Sequence, residues 1–143
     1  MDQKAIILEF IKKQKLAVLS TVTPKNTSQS AVLEFGQTQT LKIIFDTFSS
    51  SRKYKNIKHN NNVSLVIGWD EDITVQYEGK AYELEGKEKE DYKKIYFEKN
   101  PEAQRWETKE GMTYFKVVPT WIRYSDLNKN PWEIYEVKMI ERG

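Results

Sequence analysis

Apolar residues recur along this chain at two spacings, one helical and one alternating, and the switches between them lay out its elements. Over residues 2–15, Ile6, Ile7, Phe10 and Ile11 fall at helical intervals. Asp2 is placed to cap the start, and lysines gather at the end, where the helix dipole favours cations. An amphipathic helix is predicted there. Residues 16–22 form a strand pattern, and Thr23-Pro24-Lys25-Asn26 has the turn chemistry to reverse it into a second strand over residues 28–35. After a break at residues 36–39, Leu41, Ile43 and Phe45 share one face of a third strand, which would extend the hairpin into a meander.

Ser49-Ser50-Ser51 then offers N-caps for a short basic helix over residues 52–59, which Asn60-Asn61-Asn62 stops. Strands over residues 63–69 and 73–84 are joined across Asp70-Glu71-Asp72, and Gly79 marks a bulge or bend in the longer one. A charged helix over residues 87–99 carries Tyr92, Ile95 and Tyr96 on one side and ends at Asn100-Pro101. Residues 112–118, 121–124 and 132–137 supply the last strands. The class is mainly β with flanking helices (α+β). Connections are short and no repeat or linker is evident, so residues 1–143 are expected to form a single domain.

Composition narrows the function. The charged fraction of 31% is mixed in sign, and 38% hydrophobic residues are enough to build a core, so the chain is expected to fold. A net charge of +2 is too small for a dedicated nucleic-acid surface. With no cysteine, thiolate catalysis, disulfides and cysteine metal sites are excluded. The apolar run at residues 5–8 is broken by Glu9 and is too short for a signal or spanning segment. A cytoplasmic protein without a membrane or nucleic-acid partner is expected.

The most informative stretch is Thr47-Phe48-Ser49-Ser50-Ser51-Arg52-Lys53. It places two cations at a helix start, where the dipole disfavours them by a few tenths to about 1 kcal/mol. A phosphate would resolve that conflict: first-turn N–H groups, serine hydroxyls, an Arg fork and a Lys charge form the donor set for a phosphate monoester. Charge alone does not separate this from a solvated surface helix. His59 is the only histidine and suits a helix end better than a catalytic or metal site. Asp70-Glu71-Asp72 lacks the spaced ligands of a calcium loop and suits a hairpin tip. No side-chain catalytic residue and no metal site is expected.

Ile43-Ile44-Phe45-Asp46-Thr47, Ser51-Arg52-Lys53, Asn56-Ile57, Asn60, Val63-Ser64-Leu65 and Gly79-Lys80-Ala81, in this order, resemble the central pattern of pyridoxamine 5'-phosphate oxidase-like proteins. The resemblance implies a six-stranded antiparallel split β-barrel that binds FMN. It places the phosphate on Arg52 and Lys53, with hydroxyl donors from Ser51 and Thr47 and with Asp46 alongside through its backbone. The Asp46 carboxylate departs from what a phosphate site wants, and its side chain is expected to turn away or to pair with Arg52. Val32, Leu33 and Glu34 fall where the family's second strand passes the flavin ring. Thr74, or nearby Gln76, falls where a later strand reaches the ring's pyrimidine edge.

The resemblance further implies a homodimer whose interface completes the flavin site. Trp69, Trp106, Trp121 and Trp132 suit core or interface positions, with flavin stacking as the alternative. True pyridoxamine phosphate oxidases carry a C-terminal element rich in Trp, Gly and Arg that residues 130–143 do not show, so the resemblance is to short, general stress-type members. It implies an FMN-dependent oxidoreductase acting on a small molecule. A non-catalytic flavin binder or sensor, and a barrel holding deazaflavin or haem, are the alternatives.

Overall fold

A computed structural model describes residues 2–139. Asp2 accepts from Ala5 N at 3.0 Å and caps α1 (Gln3–Lys12), as its position predicts. The first hairpin, β1 (Leu16–Val22) and β2 (Ser28–Glu34), is also as expected, turning at residues 23–27 with Asn26 at a φ of 60°. The chain then crosses through a two-residue strand, β3 (Gly36–Gln37), into β4 (Ile43–Phe48). Leu41 precedes β4 rather than opening it. It sits at a φ of 68°, and its carbonyl accepts the buried Tyr77 hydroxyl at 2.7 Å. After α2 (Arg52–His59) come β5 (Asn62–Ile67), β6 (Ile73–Glu83), α3 (Gly86–Lys99), a 3₁₀ turn (Pro101–Trp106), β7 (Met112–Asp126) and β8 (Glu133–Lys138).

The eight strands of the described residues form one antiparallel sheet in the order β2-β1-β5-β6-β7-β4-β3, with β8 also on β7. Three expectations are corrected. The sheet has eight strands rather than six, because β3 adds a short pairing to β4 and β8 adds one to β7. β4 does not continue a meander from β2: it pairs with β7, Phe45 opposite Phe115. The strands expected at residues 112–118 and 121–124 are one strand that runs through Pro119. Its register against β6 shifts between Glu78 and Gly79, so the proline, which has no N–H to give the ladder, sits at a bulge. Gly79 belongs there because a Cβ would come within 2.4 Å of the Val118 carbonyl oxygen.

This bulge lets the long β6–β7 pair bend, and the sheet curls around one apolar cluster. Inward residues of β1 (Ala17, Leu19), β5 (Leu65, Ile67) and β6 (Val75, Tyr77) meet Ile7 and Ile11 of α1 and Ile57 of α2. Phe45 stacks on Phe115 at 5.3 Å, a geometry that adds about 1 kcal/mol to their burial. A smaller cluster lies on the other face of β4 and β7, where Ile44 and Tyr114 meet Tyr96 and Phe97 of α3. Two covered faces explain the unbroken apolar run Ile43-Ile44-Phe45. Gly36 lets α3 approach closely, since a Cβ there would stand 3.1 Å from Tyr96 Cα.

Lys99 closes the end of α3. Its Nζ donates to Gln37 Oε1 at 2.6 Å and to the Ile11 carbonyl at 3.4 Å, and it lies 3.7 Å from the centre of the Phe35 ring. Burial, with a smaller contribution from Lys15, pushes its amine down to about 7. Between that value and the ordinary 10.5, the unfolded chain therefore holds a proton that the folded chain has released. Stability from this group rises with pH across that window. Chemical denaturation at pH 7 and at pH 9.5 should show the rise in the native protein, and Lys99→Met should flatten it.

Candidate functional site

The curl leaves two strand edges facing each other. Among the described residues β2 pairs only with β1, so its outer edge carries no strand; β4 pairs with β3 only at Ile43 and Ile44, so Asp46–Phe48 also lack a strand on that side. Between these edges lies a cavity of about 440 Å³. Val32, Leu33 and Glu34 form one wall, Asp46, Thr47 and Phe48 the other, and Tyr96, Trp106 and Met112 one end. Ser51 and Lys53 reach in from α2. Lys53 also lines an adjoining space of about 340 Å³ with Arg52, Gln29, Ser30 and Thr21. Together they make one elongated groove with Lys53 at the junction.

The start of α2 is built by local hydrogen bonding. Ser51 is the N-cap: its Oγ accepts from Tyr54 N at 3.2 Å and lies 2.8 Å from Thr47 Oγ1. Lys53 Nζ reaches Thr47 Oγ1 at 3.5 Å. The first turn holds no acidic residue to offset the dipole, so Arg52 and Lys53 stand at its positive end as the sequence implies. Arg52 does not pair with Asp46. Its Nε donates to Gln29 Oε1 at 3.0 Å across the groove on β2, because Asp46 projects from the opposite face of β4, toward α3.

There the Tyr96 phenol stands beside the Asp46 carboxyl and favours its charged form. Burial pushes that carboxyl above its usual range, and the Tyr96 phenol opposes the shift. The Tyr96 phenol is itself raised, first by burial and then by the Asp46 charge. Glu34 on the facing wall has Lys15 Nζ 2.9 Å from its Oε2, off the line of a good hydrogen bond, so their contact is ionic. Lys15 also bridges to Glu102 at 2.7 Å. The groove is cationic near α2 and acidic and aromatic near α3.

Of the ten expected site residues, Val32, Leu33, Glu34, Asp46, Thr47, Ser51, Arg52 and Lys53 line this groove. Thr74 and Gln76 do not. They lie on the outer face of the sheet, Gln76 opposite Val66 and Arg123, and Thr74 opposite Ser125. Gln29, Tyr96 and Met112 are groove residues outside the expected set. Gln29 gave a usable signal: it takes an inward register on β2, in step with Ala31 and Leu33, where an apolar residue is the rule. Trp106, weighed only as one of four tryptophans, lines the groove while 38% exposed.

A curled antiparallel sheet with a groove between two unpaired edges, flanked by a helix that presents hydroxyls and cations, is the architecture of a split barrel with a candidate ligand groove. Residues 4–126 match the sequence profile described as Pyridoxamine 5'-phosphate oxidase, and the chain belongs to that family. A comparison with the curated proteins finds no match.

Solved structures share the fold. General Stress Protein 26 from Bacillus anthracis str. Sterne superposes with a TM-score of 0.78 at 24% identity, covering 97% of this chain and all of that one. A pyridoxamine 5'-phosphate oxidase-related, FMN binding protein from Nostoc punctiforme PCC 73102 gives 0.69 at 14% identity, over 97% of this chain and 96% of that one. A heme binding protein from Mycobacterium smegmatis gives 0.83 at 13% identity, over 96% of this chain and 59% of that one.

Tyr96→Phe removes the hydroxyl that favours the Asp46 carboxylate. In an NMR titration the Asp46 carboxyl should titrate at higher pH in the variant than in the native protein.

Proposed function

We propose that this protein binds FMN in the groove and acts as a flavin-dependent oxidoreductase on a small molecule. The observation that carries the reading is the donor set at the start of α2: the hydroxyls of Ser51 and Thr47, the Lys53 ammonium and the Arg52 guanidinium converge where a helix dipole favours an anion. These residues fit a phosphate monoester, and FMN is the flavin that carries one. Val32, Leu33 and Glu34 would offer main-chain groups from the unpaired edge of β2, and Asp46 lines the other wall. When bound, flavin supplies the hydride or electron chemistry, so the chain need only hold, orient and exclude water.

A homodimer is part of this proposal. On the outer face of the sheet Val18, Val32 and Val66 form one cross-strand row beside the small Ser20, Ser30 and Ser64, with Val32 60% exposed. An exposed apolar row of this kind suits a second copy. Thr74 and Gln76 share that face, so in a twofold dimer they would approach the other copy's groove. The haem alternative, which the mycobacterial neighbour's name raises, gains no support from His59: it ends α2, on the side away from Ser51, and lines neither part of the groove.

Purified protein should show a flavin absorbance spectrum, or take up added FMN; a protein that does neither sinks the proposal. Arg52→Ala with Lys53→Ala should weaken FMN binding by about 3 kcal/mol through lost charge-assisted bonds, read by quenching of flavin fluorescence. Val66→Glu lies outside the groove and should shift the protein to monomer in light scattering.

A further inference from the structure

We infer that Gln29 is a positioning residue that holds Arg52 ready for a phosphate, an inference that rests on the phosphate site proposed above. Gln29 Oε1 accepts two donors at once, Arg52 Nε at 3.0 Å and Asn56 Nδ2 at 2.9 Å. Two converging N–H groups require an oxygen at that position, which fixes the orientation of the Gln29 amide. Asn56 is itself anchored: it is 5% exposed and also donates to the buried Thr21 Oγ1 at 3.0 Å. Thr21 and Gln29 are direct cross-strand partners in the β1–β2 hairpin. The chain Thr21, Asn56, Gln29, Arg52 therefore ties the exposed guanidinium to a rigid hairpin and to the second turn of α2.

The bond is made to Nε. Both terminal Nη groups of Arg52 stay outside the hydrogen bonds and ion pairs of the described residues, and Arg52 lines the groove next to Lys53. A guanidinium held by Nε presents its terminal N–H groups as a fork, the geometry that grips a phosphate bidentately. Fixing a long side chain costs entropy, and here that cost is met before any ligand arrives. The neutrality of the amide matters as much as its oxygen. A carboxylate at the same position would orient Arg52 equally well, yet it would cancel the charge the phosphate needs and repel the dianion. Gln29 supplies orientation without neutralisation, and its effect falls on the phosphate alone.

The test compares dissociation constants for FMN and riboflavin, which differ only in the phosphate, in the native protein and in Gln29→Leu, Gln29→Glu and Arg52→Ala. Gln29→Leu should weaken FMN binding about tenfold and leave riboflavin binding unchanged. Gln29→Glu, which keeps the acceptor for Asn56 and so preserves the packing, should lower the preference for FMN at least as far. Gln29→Leu added to Arg52→Ala should cost nothing further. If Arg52→Ala leaves FMN affinity unchanged, the phosphate site itself is wrong. If Arg52→Ala weakens FMN while Gln29→Leu and Gln29→Glu leave the FMN-to-riboflavin ratio unchanged, or weaken both flavins equally, the positioning role is overturned.

Discussion

Peptide groups at a strand edge must find partners, and the sheet of this protein curls until two of its edges face each other without joining. At one end of the seam β3 does join: Gly36 and Gln37 pair with Ile44 and Ile43. Past that point β2 and β4 diverge, and the groove opens between them. Most proteins cover or charge such edges. Here the open seam lies beside the helix start that carries Ser51, Arg52 and Lys53, so the unpaired backbone and the cationic side chains face the same space. The groove is a consequence of incomplete closure, and the proposed ligand would lie along both edges.

Closure fails for identifiable reasons. The bulge at Gly79 and Pro119 bends the β6–β7 pair, which carries β4 around toward β2. On the far side, α3 presses on β3 where Gly36 lacks a Cβ and brings Tyr96 against the seam. Tyr96 then faces the Asp46 carboxyl on the α3 side of β4, while Thr47, the next residue, projects toward α2. Alternation along a single strand thus divides the site into two chemically different ends.

How much of this was legible in the sequence depended on how local its cause was. The Ser51 cap, the misplaced cations of α2 and the first hairpin are set by residues within a turn or two of one another, and they stand where the pattern put them. The pairing of β4 with β7 joins residues some seventy positions apart, and strand patterns say nothing about which distant edge a strand chooses. Pro119 interrupts the strand pattern because a proline lacks the N–H a ladder needs; only its partner glycine across the bulge makes the strand continuous. Of the two expectations for Asp46, turning away or pairing with Arg52, the first holds, and for a related reason. The two residues are close in sequence, but the strand sends Asp46 to the opposite face, where Tyr96 arrives from fifty positions away.

Gln29 is the intermediate case, and it bears on how the groove treats charge. Its inward register marks it as a polar residue among apolar ones, but the marking gains meaning only when Arg52 and Asn56 arrive from α2. With Gln29 neutral and no acidic residue in the first turn of α2, positive potential at that end is undiminished. At the other end Asp46 and Glu34 stand on opposite walls, Glu34 only partly offset by Lys15, which Glu102 shares. Potential along the groove therefore changes sign between Lys53 and Glu34. A second anionic group at the acidic end would meet repulsion in a partly desolvated space. The groove thus favours a ligand whose charge is confined to one end, with its remaining length uncharged and able to lie against Tyr96, Trp106 and Val32.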